Sequence, residues 1–76
     1  MPRSRDQGRI ARELGAQIHA LRLKAELTQE KLAWRCDLNK GYLSQIEAGK
    51  RIPSVMVLIE LARELNVPVV SFFEDL

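Results

Sequence analysis

An all-α fold, five short helices packed into one small domain, follows from three observations on this sequence. Apolar residues recur three to four positions apart along most of the 76 residues, the spacing of one face of a helix. No stretch alternates polar and apolar residues with period two for long enough to form a strand. Thr28, Asn39 and Ser54, residue types that cap helix N-termini, stand directly before apolar-periodic segments.

The first helix is expected from about Gln7 or Gly8 to Ala25, with Ile10, Leu14, Ile18 and Leu21 as its apolar stripe and Ala11, Ala20 and Ala25 beside it. Gly15 lies inside it. Glycine costs about 1 kcal/mol against alanine in a helix interior, so its presence points to a close backbone approach by another helix. Thr28 opens a second helix at about residues 29 to 35, with Leu32 and Ala33 inward. Cys36, Asp37 and Leu38 then make a turn too short for antiparallel neighbours, so the third helix crosses the second steeply. That third helix spans about Lys40 to Ala48 behind Asn39, directs Leu43 and Ile46 inward, and ends at Gly49, which has the place and identity of a left-handed C-terminal cap. After the basic loop Lys50, Arg51, Ile52 and Pro53, Ser54 caps a fourth helix that runs to about Asn66. Val55, Leu58, Leu61, Ala62 and Leu65 give it a full inward stripe, and Met56, Val57 and Ile59 add apolar surface on the other side. A helix apolar nearly all round is buried on more than one side, which here means against a second copy of the chain. Pro68 opens a last short helix carrying Val70, Phe72, Phe73 and Leu76.

Size and composition exclude several functions. A chain this short buries about 60% of the surface its unfolded form exposes, enough for one modest core but not for a deep catalytic cleft besides. Neither a nucleophile with its base, a phosphate-binding loop nor a metal constellation is present, so no enzyme and no cofactor are expected. The single cysteine, Cys36, forms no internal disulfide, and one cysteine with one histidine assembles no zinc site. The longest apolar run, Val55 to Ile59, is far short of a membrane span, and the N-terminus leads into no apolar signal region, so a cytoplasmic protein is expected. The net charge of +2 hides an asymmetry: residues 1–24 carry +4, residues 25–53 carry +1 and residues 54–76 carry −3. Such polarity suits a molecule that turns one side to a polyanion.

The second and third helices therefore form a steep helix-turn-helix between a basic first helix and an apolar fourth. Its sequence, TQEKLAWRCDLNKGYLSQIEAGKRIPS at residues 28–54, closely resembles the helix-turn-helix of the lambda-repressor-like (XRE-type) transcription regulators. The resemblance extends upstream to Gly15, Ile18, Leu21 and Arg22 and downstream to Leu58, Leu61, Ala62 and Leu65. It covers about sixty residues; those before Leu14 form an N-terminal extension outside the family's usual core, and residues 1–76 are taken as one DNA-binding domain. Small size and the lack of a ligand domain are similar to the stand-alone controller proteins of restriction-modification systems and to phage-type repressors.

Independently of the family, a helix that reads the major groove needs short or flexible polar side chains on its N-terminal outer face. Asn39, Lys40, Gly41, Ser44 and Gln45 meet that description, with Gln45 suited to adenine and Lys40 to guanine, and the resemblance implies base contacts at these positions. Phosphate contacts are expected from Thr28 and Gln29, where the first amides of the second helix point outward, and from Tyr42, Lys50 and Arg51 across the groove. The resemblance assigns Arg22 and Glu47 to a structural ion pair between the first and third helices. Cys36 occupies a position normally filled by a buried aliphatic residue, and His19 is read as a surface residue. Trp34 lies outside the Leu32/Ala33 face and is open to contact with the first helix, with DNA or with a partner. Arg3, Arg5, Arg9 and Arg12 lie on the extension, read chiefly as structure.

The expectation that results is a sequence-specific regulator of transcription that binds a palindromic operator on double-stranded DNA as a homodimer, without a small-molecule ligand or membrane. Met56, Val57, Ile59, Val69, Phe72 and Phe73 are expected at the dimer interface. The competing expectation is a protein-interaction module, such as an antitoxin or a transcriptional adaptor, which the surplus apolar residues of the fourth helix fit as well.

Overall fold

The computed structural model describes residues 4–74 and 76, so Arg3 lies outside the described residues, as does the side chain of Arg5. Four α-helices follow one another: α1 (Ser4–Lys24), α2 (Gln29–Arg35), α3 (Lys40–Glu47) and α4 (Val55–Leu65). Among the described residues there is no strand. The fifth expected helix is instead a five-residue 3-10 helix, Val69–Phe73, whose Pro68 cap makes no side-chain hydrogen bond. So short a segment, with two β-branched valines, gains too few bonds to support an α ladder. Helix α1 begins three or four residues earlier than its apolar stripe indicates, at Ser4, and its extension is part of the fold: Ala11 and Leu14 are buried.

Ile18, Leu32, Leu43, Ile46, Leu61 and Phe72 have no accessible surface and form the centre of the core. Phe72 therefore cannot serve the dimer surface at which the sequence places it. A 3-10 helix has three residues per turn, so residues three apart eclipse. Val69 and Phe72 both face inward, with Val69 packed against the core, while Val70 and Phe73 are exposed on the other side. Val57 likewise packs against the core, half-buried, and Ile59 is half-buried too.

Gly15 marks the tightest approach. A Cβ added there would collide with the main-chain carbonyl oxygen of Ile46 and come within 2.8 Å of that of Glu47, so α1 lies directly on the C-terminal end of α3. One turn earlier, the backbone of Arg12 sits against Gly49.

Side chains cap three of the helix starts. Thr28 Oγ1 accepts from Lys31 N–H at 3.0 Å, Asn39 Oδ1 from Gly41 N–H at 2.7 Å and from Tyr42 N–H at 3.3 Å, and Ser54 Oγ from Val57 N–H at 3.2 Å. All four helices end on a left-handed residue, Glu26, Asp37, Gly49 and Asn66 at φ 59°, 56°, 76° and 58°. At each end the next amide bonds five residues back: Leu27 to Arg22, Leu38 to Ala33, Lys50 to Gln45 and Val67 to Ala62. These paired caps satisfy the last carbonyls and turn the chain sharply, which sets α3 against α2 across four residues.

Candidate nucleic-acid interface

The surface carrying the expected DNA contacts is built from the starts of α2 and α3. A hollow of about 450 Å³ is lined by Arg22, Thr28, Gln29, Glu30 and Lys40, and a second of about 280 Å³ by His19, Gln29, Ser44, Glu47 and Ala48. Thr28 and Gln29 from one helix thus stand beside Lys40 and Ser44 from the other. Asn39, Lys40, Gly41 and Gln45 are exposed and Ser44 is half-buried. The cap engages Asn39 Oδ1, which leaves only its amide NH₂ for a ligand. On Gly41 a Cβ would touch nothing but Asn39 Oδ1, at 2.9 Å, so this position is otherwise open. Lys50 and Arg51 are exposed in the loop after α3, and Arg51 lies over the Tyr42 ring, 5.6 Å from its centroid.

Behind this surface lies a buried polar cluster. Arg22 grips the Glu47 carboxylate with two bonds, Nε to Oε2 at 2.8 Å and Nη2 to Oε1 at 3.0 Å, while its Nη1 donates to the Leu27 carbonyl at 2.7 Å. Gln29 Nε2 donates to Glu47 Oε1 at 3.1 Å, and His19 Nδ1 is 2.7 Å from the same oxygen. The Glu47 side chain is only 3% exposed. Burial by itself would raise its pKa, but hydrogen bonds from Arg22, His19 and Gln29 and the Arg22 charge outweigh that cost and hold the carboxyl below its ordinary value. One cluster therefore ties α1, the start of α2 and the end of α3 together.

Two of its members make a contact beyond the role expected of them. His19 is exposed, as expected of a surface residue, and it also braces Glu47. Its spacing from Arg22, three positions on one helix face, was the signal available. Gln29, expected on phosphate, spends one of its two amide hydrogens on Glu47; the other remains, now with a fixed direction.

Cys36 and Trp34 part company. Cys36 is buried, donates its thiol to the Glu60 carbonyl at 3.7 Å and is pushed up to about 11 by burial and by Glu64 and Glu60, so the reactive thiolate is not populated at neutral pH. Trp34, at 79% exposure, is the most open large apolar residue of the described chain and forms a shallow hollow with Thr28, Glu30 and Lys31. Met56 is 67% exposed and Phe73 39%. No described helix is long and apolar enough to cross a membrane.

A family model described as helix-turn-helix matches residues 18–72, most of the chain. The chain belongs to the XRE-type helix-turn-helix family. Among its relatives, the control protein C.BamHI of Bacillus amyloliquefaciens is 39% identical over 54 residues, covering 70% of this chain and 67% of that protein. Among solved structures, the restriction-modification controller protein C.AhdI of Aeromonas hydrophila superposes with a TM-score of 0.81 at 28% identity, over 83% of this chain and 96% of that one. PlcR of Bacillus thuringiensis, solved in complex with the peptide PapR7 and DNA, matches with a TM-score of 0.78 at 33% identity, over 87% of this chain but only 23% of its own. The helix-turn-helix of this family comprises α2, the turn at Cys36–Asn39 and α3, the elements that carry the surface described above.

Proposed function

We infer that the protein is a sequence-specific, DNA-binding regulator of transcription that acts in the cytoplasm as a homodimer on a two-fold symmetric operator. The observation that carries this reading is the juxtaposition, around two adjoining hollows, of the amide-rich start of α2 at Thr28 and Gln29 with the polar face of α3 at Lys40 and Ser44. The first arrangement suits a phosphate and the second suits base edges, and a helix-turn-helix uses them together. Phosphates on the far side of the groove fall to Tyr42, Lys50 and Arg51. Kinship with restriction-modification controllers and the DNA-bound PlcR neighbour support the same reading.

Dimerisation follows from the apolar groups the fold leaves open. Val55 and Met56 on α4, Val70 and Phe73 on the 3-10 helix, and Leu76 beyond it are all exposed. Two copies joined there would set two recognition helices in successive major grooves, about 34 Å apart. Selection of bound fragments from random DNA, with sedimentation of the free protein, tests this. Inverted half-sites centred about 10 base pairs apart and a dimer in solution are the expected results. A monomer that selects no sequence would instead favour the interaction module.

A further inference from the structure

We propose that Arg51 sets the base preference of this protein by fixing the Gln45 side-chain amide, so that Gln45 presents its NH₂ group to the groove and selects guanine. This rests on the DNA-binding reading above and adds to it the base that one residue chooses. Arg51 Nε donates to Gln45 Oε1 at 3.0 Å while the guanidinium lies over the Tyr42 ring, 5.6 Å from its centroid. Tyr42 is half-buried and packs against the core, which makes its ring a fixed platform. The cap at the end of α3, with Gly49 at φ 76° and Lys50 N–H bonded to the Gln45 carbonyl at 2.9 Å, turns the chain back so that Arg51 returns beside a residue six positions earlier.

A free glutamine amide can rotate by half a turn, exchanging oxygen for nitrogen, and in its familiar pairing with adenine it donates to N7 and accepts from N6. A guanidinium has five donors and no acceptor, so only the amide oxygen can face Arg51. The NH₂ group then points away. One lone pair of Oε1 is occupied, and the positive charge beside it opposes the approach of a second donor such as adenine N6–H₂. The same charge favours an edge made of acceptors, and guanine presents two, O6 and N7. Arg51 is thus a positioning residue for Gln45, distinct from its use as a phosphate contact. Lysine keeps the charge but lacks the planar fork that can lie on a ring while donating sideways.

The test is base preference at the pair where Gln45→Ala loses discrimination, found by selection from random DNA and then measured as affinity for operators carrying each of the four base pairs there. The wild type is expected to prefer guanine. Arg51→Ala is expected to lose about tenfold of the guanine-over-adenine ratio, within the range of one good side-chain-to-base pairing, with preferences elsewhere in the operator unchanged. Arg51→Lys is expected to lose the same ratio while retaining the salt dependence that Arg51→Ala reduces. Because Arg51 is exposed, both variants are expected to unfold thermally as the wild type does. Equal weakening on all four operators would reduce Arg51 to a phosphate contact and overturn the proposal, as would a wild type that prefers adenine at that pair. A wild type that selects no sequence at all would remove the DNA-reading function itself, a failure told apart by the absence of any operator.

Discussion

Two polar assemblies grip opposite faces of α3. Inside, Arg22, His19 and Gln29 converge on Glu47, whose side chain is 3% exposed. Outside, Arg51 bridges Gln45 and the Tyr42 ring, with both Arg51 and Gln45 open to solvent. Each sets an arginine against a side chain of the same short helix, yet burial gives them opposite uses. The inner carboxylate has lost its water, so its partners are obligatory and the cluster holds three helices in place. The outer amide keeps its water, so its bond to arginine adds little stability, and the role proposed for it is to direct what the helix presents. A hydrogen-bond network of similar chemistry supports the fold on the buried side of the helix and, in the function proposed, shapes the reading surface on the exposed side.

The largest effect expected from this contrast is at Arg22. Arg22→Ala leaves Glu47 buried without its main partner and should destabilise the domain by about 3–5 kcal/mol, measured by urea unfolding. A loss below about 1 kcal/mol would mean that the cluster is no more than a surface pair. Gly15→Ala comes next: a methyl driven against the Ile46 and Glu47 carbonyls should cost about 1–3 kcal/mol by pushing α1 off the same end of α3, seen as a lowered melting temperature.

Acid should weaken the inner assembly alone. Because the Glu47 pKa is depressed in the folded state, its contribution is complete above the unfolded carboxylate value near 4.5 and is lost as the pH falls through the lower folded value. Unfolding measured from pH 6 down to pH 3 should therefore show stability falling below about 4.5, more steeply in the wild type than in Glu47→Gln. Parallel curves for the two proteins would place the acid sensitivity elsewhere. The smallest effect is a gain. Asp37 holds a left-handed conformation at φ 56°, so Asp37→Gly should raise stability by up to about 1 kcal/mol in thermal unfolding. The turn lies between α2 and α3 and outside both assemblies, which should leave base preference unaltered.

Legibility in the sequence follows the same division. Ile18, Leu32, Leu43, Ile46 and Leu61 could be named as core because helical periodicity assigns their face, and Gly15 could be recognised because an interior glycine in a helix needs a neighbour to justify it. The cap at Gly49 was legible because glycine adopts the left-handed region freely, but those at Glu26, Asp37 and Asn66 were not, since asparagine and aspartate mark that conformation only weakly and glutamate does not. Phe72 was misplaced because five residues in a 3-10 helix follow a period of three, and an α-helical reading puts it with the exposed Phe73. The bonds of His19 and Gln29 to Glu47 were not legible for a different reason. Their common partner, Glu47, lies 28 and 18 residues further along the chain, and only the packing of α1 and α2 on α3 brings them to it.

The central claim is that the exposed face of α3 reads bases while the buried face only supports it. The most direct measurement compares wild type and Gln45→Ala, both folded, on the selected operator and on unrelated DNA. A loss of about 1–3 kcal/mol on the operator, with little change on unrelated DNA, is the result predicted. An equal loss on both, or none on either, would contradict it.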